Sequence, residues 1–395
     1  MKAGLDVADI FRAYGEVYQA RYGDHMPLRQ KRAMRAIQLC RTAALGGHID
    51  KCEDCGAERN SYNSCRNRHC PKCQFLTTER WIEARREDLL PIPYFHVVFT
   101  LPEQLRSIAL RNQRVVYGLL FKAASQTLLE LARDPKYLGA EIGFTAVLHT
   151  WSQTLIDHPH LHCIVTGGGL SLDGQQWKSA RTQFFLPVKV LSRVFRGKFL
   201  HYLKHSYAQG RLRFPGQIEP LEDQLLRLIR LLYETDWRVY CKPPFADAED
   251  VVAYVGRYTH RIAISNQRLV SLQNDQVCFR YQDREHGNCT KTMVLDTFEF
   301  IRRFLLHVLP GGFVKIRHYG LLSNRTRHKK IACCRRLLGD MSSAGSERTK
   351  ASWQELLFRL TGVDVQVCLS CGGRMSPVET IAPQRAPPAT LAPVA

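Results

Sequence analysis

The sequence predicts an α+β protein, and three observations carry that reading. Apolar residues recur at helical spacing in several long stretches. Between them lie short β-rich runs bounded by proline, glycine or aspartate. A compact cysteine-rich segment interrupts the first helical region. At 395 residues the chain is long enough for two or three domains, and 45% hydrophobic residues suffice to give each a core.

Residues 5 to 45 read as helices, because Ile10, Phe11, Tyr14, Val17 and Tyr18 fall at helical spacing and Leu28 to Leu45 continues with many Arg and Lys residues. The Cys-rich segment runs from His48 to Gln74, and a charged helical stretch follows from Thr77 to Leu89. PYFHVVFTLP is a β-rich run between prolines and reads as the first strand of a new domain. Residues 103 to 133 again look helical. Phe144 to Ile156 and His160 to Thr166 read as a β-hairpin turning at Asp157-His158-Pro159, with Gly167-Gly168-Gly169 ending the second strand. Two helices are expected in 190 to 234 around Gly210, Pro215 and Gly216, and another from Asp247 to Ala263, capped by Asp247 or Asp250. Three β-like runs, at 268 to 273, 277 to 282 and 290 to 295, precede a helix at 297 to 307. The last stretch, 376–395, is rich in Ala and Pro, lacks aromatic residues, and reads as a disordered tail.

Lys and Arg outnumber Asp and Glu by 56 to 36, a formal charge of +20 spread along the chain. Such a field attracts polyanions, and nucleic acid is the commonest of them. No apolar run approaches the ~18 residues of a membrane span, and the first residues carry acidic groups where a signal peptide needs an apolar core. The expected setting is therefore the cytosol, with no membrane partner. There, fourteen cysteines are not a disulfide framework but candidates for metal ligation wherever their spacing is short and regular.

Cys52-x-x-Cys55 and Cys70-x-x-Cys73 are two knuckles of the kind whose four thiolates close a tetrahedral structural zinc site. His48, Cys65 and His69 lie in the same segment and could replace a ligand or build a second site. Arg59, Arg66, Arg68 and Lys72 around them suit phosphate contacts. Cys368-x-x-Cys371 resembles half of a further knuckle, which Cys333-Cys334 completes only poorly because adjacent cysteines have the wrong geometry. Cys40, Cys163, Cys241, Cys278 and Cys289 stand alone and read as small buried hydrophobes.

His158-Pro159-His160-Leu161-His162 is the densest histidine cluster. On a strand, residues 160 and 162 point to the same face about 6–7 Å apart, so both imidazoles can grip one divalent ion. With the turn centred on Asp157-His158, Gln153 falls opposite His162 and is the candidate third ligand. Two histidines and one neutral oxygen leave coordination positions open for Lewis-acid work on a phosphate, and suit Mg²⁺ or Mn²⁺. In AYVGRYTHRIA, Tyr254 and Tyr258 lie one helical turn apart with Arg257 and Arg261 nearby. A tyrosine with pKa near ~10 needs such positive charge, or a metal-polarised target, to attack a phosphodiester.

SCRNRHCPKCQ, HVVFTLP, HPHLHCIVTGGGL, YVGRYTHRIAISN and GFVKIRHYGLLS, taken in this order, resemble the double-tyrosine rolling-circle insertion-sequence transposases of the HUH endonuclease superfamily, which carry an N-terminal transposase zinc-binding domain. The resemblance spans most of the chain. It implies a helical zinc-binding DNA-recognition domain at 1–90, an HUH-type catalytic domain at 91–310 with a central antiparallel sheet flanked by helices, and a basic DNA-binding region at 311–375. It further implies that His160 and His162 are the HUH pair and that Tyr258 and Tyr254 form 5′-phosphotyrosine links with single-stranded DNA at element ends and targets. The superfamily habit of a polar third ligand on a neighbouring strand supports Gln153, with His149 or His158 as substitutes. Arg325, Arg327, Lys329 and Lys330 form a basic stretch suited to tracking DNA. Rival readings are a replication initiator or relaxase with the same chemistry, an inactive zinc-dependent DNA-binding remnant, and an acidic-triad transposase, which the scarcity of carboxylates near the hairpin disfavours.

Overall fold

The computed structural model describes residues 4–181, 185–214, 221–242, 245, 251, 256, 263–283, 286–340 and 351–384. The chain divides into two compact units, each assembled from separated segments: Met1–Glu79 with His260–Val308 and Glu347–Ala395, and Arg80–Thr259 with Leu309–Ser346. This grouping differs from the sequential division expected above. The fold is α+β, and every strand pairing recorded between its elements is antiparallel.

In the first unit, α1 (Val7–Tyr22) buries Val7, Ile10 and Phe11, and α2 (Leu28–Leu39) buries Ala33, Met34 and Ile37. The Asp9 carboxylate accepts the Asp6 N–H at 2.9 Å, which satisfies a donor at the start of α1. The Gln38 side chain donates to the buried Phe11 carbonyl at 2.8 Å and ties the two helices. The Cys-rich segment folds as a hairpin of β1 (Gly47–Cys52) and β2 (Glu58–Tyr62), followed by helix α3 (Pro71–Arg86). The expected three-strand meander is present as β8 (Leu269–Gln273), β9 (Gln276–Asp283) and β10 (Cys289–Asp296). Helix α8 (Thr297–Leu306) follows it, with the Asp296 carboxylate accepting from the Phe298 and Glu299 N–H groups. Helix α10 (Trp353–Thr361) opens on a Ser352/Glu355 capping box and stops at Gly362 in the left-handed region.

The first residues of the stretch expected as a disordered tail, 376–395, form a strand, while 385–395 lie outside the described residues. β12 (Met375–Ile381) pairs along β1, giving a sheet of order β12-β1-β2. Its pattern is mostly exposed, so no apolar alternation announces it; the pairing, not its own hydrophobicity, makes it a strand.

The second unit is built on a sheet of order β11-β4-β5-β3-β7. Its members are β3 (Tyr94–Thr100), β4 (Ala140–Trp151), β5 (Asp157–Ser171), β7 (Val239–Lys242) and β11 (Ile316–Gly320), with β6 (Trp177–Ser179) paired to the far end of β5. Phe95, Val97 and Phe99 of β3, Phe144, Ala146 and Leu148 of β4, and Leu161, Cys163 and Val165 of β5 all enter one core. Helices α4 (Arg106–Arg111), α5 (Gln113–Arg133) and α6 (Val188–Ala208) contribute Ile108, Leu120, Phe121, Phe195 and Phe199 to it. Helices α7 (Leu221–Glu234) and α9 (Arg327–Leu337) also belong to this unit. Because strand side chains alternate, the intervening residues of β3, β4 and β5 share the opposite face.

The three glycines do not end β5, which continues to Ser171. They let neighbouring strands approach: a Cβ on Gly169 would lie 2.5 Å from the Glu141 carbonyl oxygen, and one on Gly168 2.6 Å from that of Lys178. Among the described residues no helix is long and apolar enough to cross a membrane.

Candidate metal centres

The face of the sheet opposite the core carries the histidines. The β4–β5 hairpin is present, but its loop is Ser152–Ile156, upstream of the expected turn. That displacement changes the register. Val147 stands opposite His162, and His149 stands opposite His160. Gln153 lies in the loop rather than on β4, so the hairpin position assigned to it at the sequence level is not the one it holds. The ligand nitrogens of His149, His160 and His162 lie within 4.8 Å of one another.

Hydrogen bonds orient two of these rings. His160 Nδ1 is 2.6 Å from the His158 carbonyl oxygen, an acceptor only, so Nδ1 carries the proton and donates. Its Nε2 therefore keeps a lone pair for a metal. His162 Nδ1 is 2.8 Å from Nε2 of His96 on β3, whose side chain is 2% exposed. Either ring can donate in this bond; the tautomer in which His162 Nδ1 donates to His96 is the one that leaves the lone pair of His162 Nε2 for a metal. His149 is buried and its ring stacks on Trp151 with centroids 4.5 Å apart. Among the described residues the cluster holds three histidine nitrogens and no Cys, Asp or Glu, and such a set fits a divalent ion that keeps open positions. Sequence reasoning gave His96 no role; the signal was a lone histidine among the apolar residues of YFHVVF.

At the mouth of the hairpin, burial pushes the Asp157 carboxyl up to about 7, with Arg106 opposing the shift. On the same sheet face, burial lowers His318 to about 4, helped by Arg85 and Arg327. Tyr94, Val147 and Ile164 pack there with Val251, and Phe245 stands 6.4 Å from His96, ring to ring.

The cysteines form two clusters. Cys40, Cys65, Cys70 and Cys73 make one, and Cys52, Cys55, Cys368 and Cys371 the other; within each, all four sulfurs lie within 4.8 Å of one another. The two knuckles predicted to share one site are thus divided. Cys40, expected as a lone buried hydrophobe, sits with its sulfur 3.6 Å from that of Cys73, which is 3.5 Å from Cys65. The partner of Cys368 and Cys371 is the Cys52/Cys55 knuckle rather than Cys333-Cys334. Four thiols at this spacing match tetrahedral zinc, whose bonds to sulfur of ~2.3 Å place sulfurs about 3.8 Å apart. His48 and His69 fall in neither cluster.

The basic residues divide as well. Arg327 pairs with Asp88 at 3.0 Å and Lys330 with Glu141 at 2.6 Å, while Arg325 and Lys329 are exposed. Arg59 pairs with Asp50 and Lys72 with Asp6. Arg66 is exposed at φ 51° and Arg68 is half-buried, its guanidinium held below its ordinary pKa by burial. Tyr254, Arg257, Tyr258 and Arg261 lie outside the described residues; of the helix expected at Asp247 to Ala263, Val251 and Gly256 are described as helical, and Ala263 as a bend.

An antiparallel sheet bearing a histidine cluster, together with two cysteine clusters, defines a protein of metal-binding type, and comparison with known proteins places it among the transposases. A family model described as "Transposase zinc-binding domain" matches residues 10–101, and one described as "Putative transposase" matches 143–330. The chain is 51% identical over 391 residues to "Putative transposase y4qJ" of Sinorhizobium fredii (strain NBRC 101917 / NGR234), covering 98% of each chain. It is 28% identical over 350 residues to "Transposase for insertion sequence element IS801" of Pseudomonas savastanoi pv. phaseolicola, covering 85% of this chain and 80% of that one. No solved structure gives a significant match. The chain belongs to the IS91-type family of insertion-sequence transposases, with a zinc-binding domain and DNA as its substrate.

Proposed function

We propose that this transposase nicks and rejoins single-stranded DNA through 5′-phosphotyrosine intermediates, using Tyr258 and Tyr254 as nucleophiles and His149, His160 and His162 as ligands of a catalytic divalent ion. The observation that carries the reading is the histidine trio on a sheet face, with one ring nitrogen of each within 4.8 Å of the others and the His160 and His162 rings held by hydrogen bonds at Nδ1. Val251, which opens the tyrosine segment, packs against Val147 and Ile164 on that face. Tyr254 and Tyr258 follow Val251 by three and seven residues in the sequence.

The chemistry balances without an external energy source. The tyrosine oxygen attacks phosphorus and loses its proton; the bond from phosphorus to the 3′ oxygen breaks, and that oxygen leaves with the electron pair and takes up a proton as a free hydroxyl. The phosphodiester energy stays in the tyrosyl link, so a 3′-hydroxyl can reverse the step. A bound Mg²⁺ or Mn²⁺ supplies Lewis-acid polarisation of the scissile phosphate. Trp151 and His96 hold the ring planes, and Arg257 and Arg261 lower the cost of the tyrosinate. Arg66, Arg68, Arg325 and Lys329 are proposed to contact backbone phosphates, with Arg327 and Lys330 serving through the helix that their ion pairs anchor.

The test is to incubate the protein with labelled single-stranded oligonucleotides from the DNA flanking its gene, with Mg²⁺ or Mn²⁺, and look for a covalent adduct on denaturing gels. Tyr258→Phe removes only the hydroxyl, so the adduct linked through residue 258 disappears while single-strand binding persists. Undiminished cleavage by that variant removes Tyr258 from the mechanism.

A further inference from the structure

We infer that the chain holds a second structural zinc ion, bound by Cys52, Cys55, Cys368 and Cys371, and that this ion fastens the C-terminal segment to the N-terminal zinc-binding hairpin. The "Transposase zinc-binding domain" match ends at residue 101, so it includes only half of this site. The other half comes from more than three hundred residues away.

The geometry is that of two facing knuckles. Cys52 Sγ lies 3.4 Å from Cys371 Sγ, and Cys55 Sγ lies 3.7 Å from Cys368 Sγ. These separations fall near the about 3.8 Å edge of a zinc-tetrathiolate tetrahedron. Each knuckle also carries its own backbone donors for thiolate sulfur. The N–H groups of Asp54 and Cys55 point at Cys52, those of Ser370 and Cys371 at Cys368, and the Gly373 N–H donates to Cys371 Sγ at 3.4 Å. Four thiols brought together in a protein without disulfides, with N–H groups aimed at the sulfurs, are arranged for an ion that takes thiolates.

The surroundings show what the ion would fasten. β12 adds to the edge of β1, and the bridge between Val367 and Arg374 closes the second knuckle. Glu53 N–H donates to the Arg374 carbonyl at 3.0 Å, linking the knuckles directly. Apolar support is small: Cys52, Cys368 and Met375 form a cluster with Ala57. A polar edge strand with so little core needs another source of free energy to stay in place, and a structural zinc site supplies it as folding free energy. The same ion closes a loop of 313 residues between Cys55 and Cys368, which removes entropy from the unfolded chain.

The experiment uses the full-length, zinc-loaded protein and iodoacetamide under reducing and then non-reducing conditions, with alkylated cysteines mapped by mass spectrometry. Cys55, Cys371 and Cys289 are all exposed, and Cys289 belongs to neither cluster. Cys289 should alkylate at once, while Cys55 and Cys371 stay unmodified until a zinc chelator is added and then label together with Cys52 and Cys368. Labelling of Cys55 and Cys371 at the rate of Cys289 before chelation overturns the proposal. So does protection that reductant abolishes and chelator does not, which would mean a disulfide. Independently, Cys368→Ser with Cys371→Ser should lower thiolate-bound zinc by one equivalent per chain, and Cys65→Ser with Cys70→Ser should lower it by a different equivalent. Wild-type protein with a single thiolate-bound zinc contradicts the inference without any variant.

Discussion

The cysteine clusters and the histidine cluster are both metal-type constellations, and they differ in what they leave open. Each cysteine set offers four sulfurs converging within 4.8 Å, a closed tetrahedron with no place for water or substrate. The histidine set offers three nitrogens on a sheet face and, among the described residues, no Cys, Asp or Glu in the cluster. Closed sites hold structure; open sites can do Lewis-acid chemistry. The two kinds also draw on the fold differently. Thiolate ligands come from turns and chain segments that need the metal to stay together, whereas the histidines sit on strands whose reverse faces are anchored in a core of Phe95, Phe99, Phe144 and Leu161. The proposed histidine site would therefore be preorganised by packing, and the cysteine sites by the ion.

If that contrast holds, the largest expected effect is on cleavage. His160→Ala should lower divalent-dependent adduct formation by at least about a thousandfold, on the order of 4 kcal/mol of transition-state stabilisation, with thiolate-bound zinc content unchanged. A fall in zinc instead would turn the hairpin into a structural site. Next is Cys70→Ser, which should leave the histidine cluster intact but unfold the region around Cys40 and Cys65. Circular dichroism and zinc content read the loss, and a variant with wild-type melting would sink the structural role. His96→Ala should weaken Mn²⁺ binding by about 10–100-fold, because His162 loses the acceptor that fixes its tautomer; manganese titration in the absence of DNA measures it.

The smallest effect concerns Asp157. Its carboxyl is raised to about 7 by burial, so the folded protein favours the neutral acid while the unfolded chain titrates near its ordinary value of about 4. Stability from this group is complete below about pH 4 and is lost as pH rises towards 7. Asp157→Asn keeps the side chain neutral, so between pH 5 and 8 the wild type should lose about 2–4 °C of melting temperature relative to the variant. Parallel melting curves at the two pH values check this.

How much was legible depended on whether a signal was local. β3 was readable because YFHVVF is a short apolar run between prolines, and the meander and α8 because turn residues separate their patterns. The α+β class and the histidine pair followed from such runs. The third histidine did not follow, because register depends on loop length. A five-residue loop, Ser152–Ile156, with an irregularity between His149 and Trp151, moves the pairing away from that of a tight turn centred on Asp157. Cys40 was invisible as a ligand because it lies well before the first knuckle and has no partner at knuckle spacing. The pairing of Cys52 and Cys55 with Cys368 and Cys371 is a long-range fact, carried by β12, whose own residues are too polar to announce a strand. Ion pairs such as Arg327 with Asp88 are equally non-local, which is why a basic run looked uniform in sequence and is divided in the structure.

The measurement that tests the central claim most directly is Mn²⁺ titration of wild type, His149→Ala and Gln153→Ala side by side, followed by electron paramagnetic resonance of the bound ion. His149→Ala should lose Mn²⁺ binding and Gln153→Ala should keep it, since His149 stands opposite His160 and Gln153 lies in the loop. Loss in Gln153→Ala with retention in His149→Ala would contradict the three-histidine site.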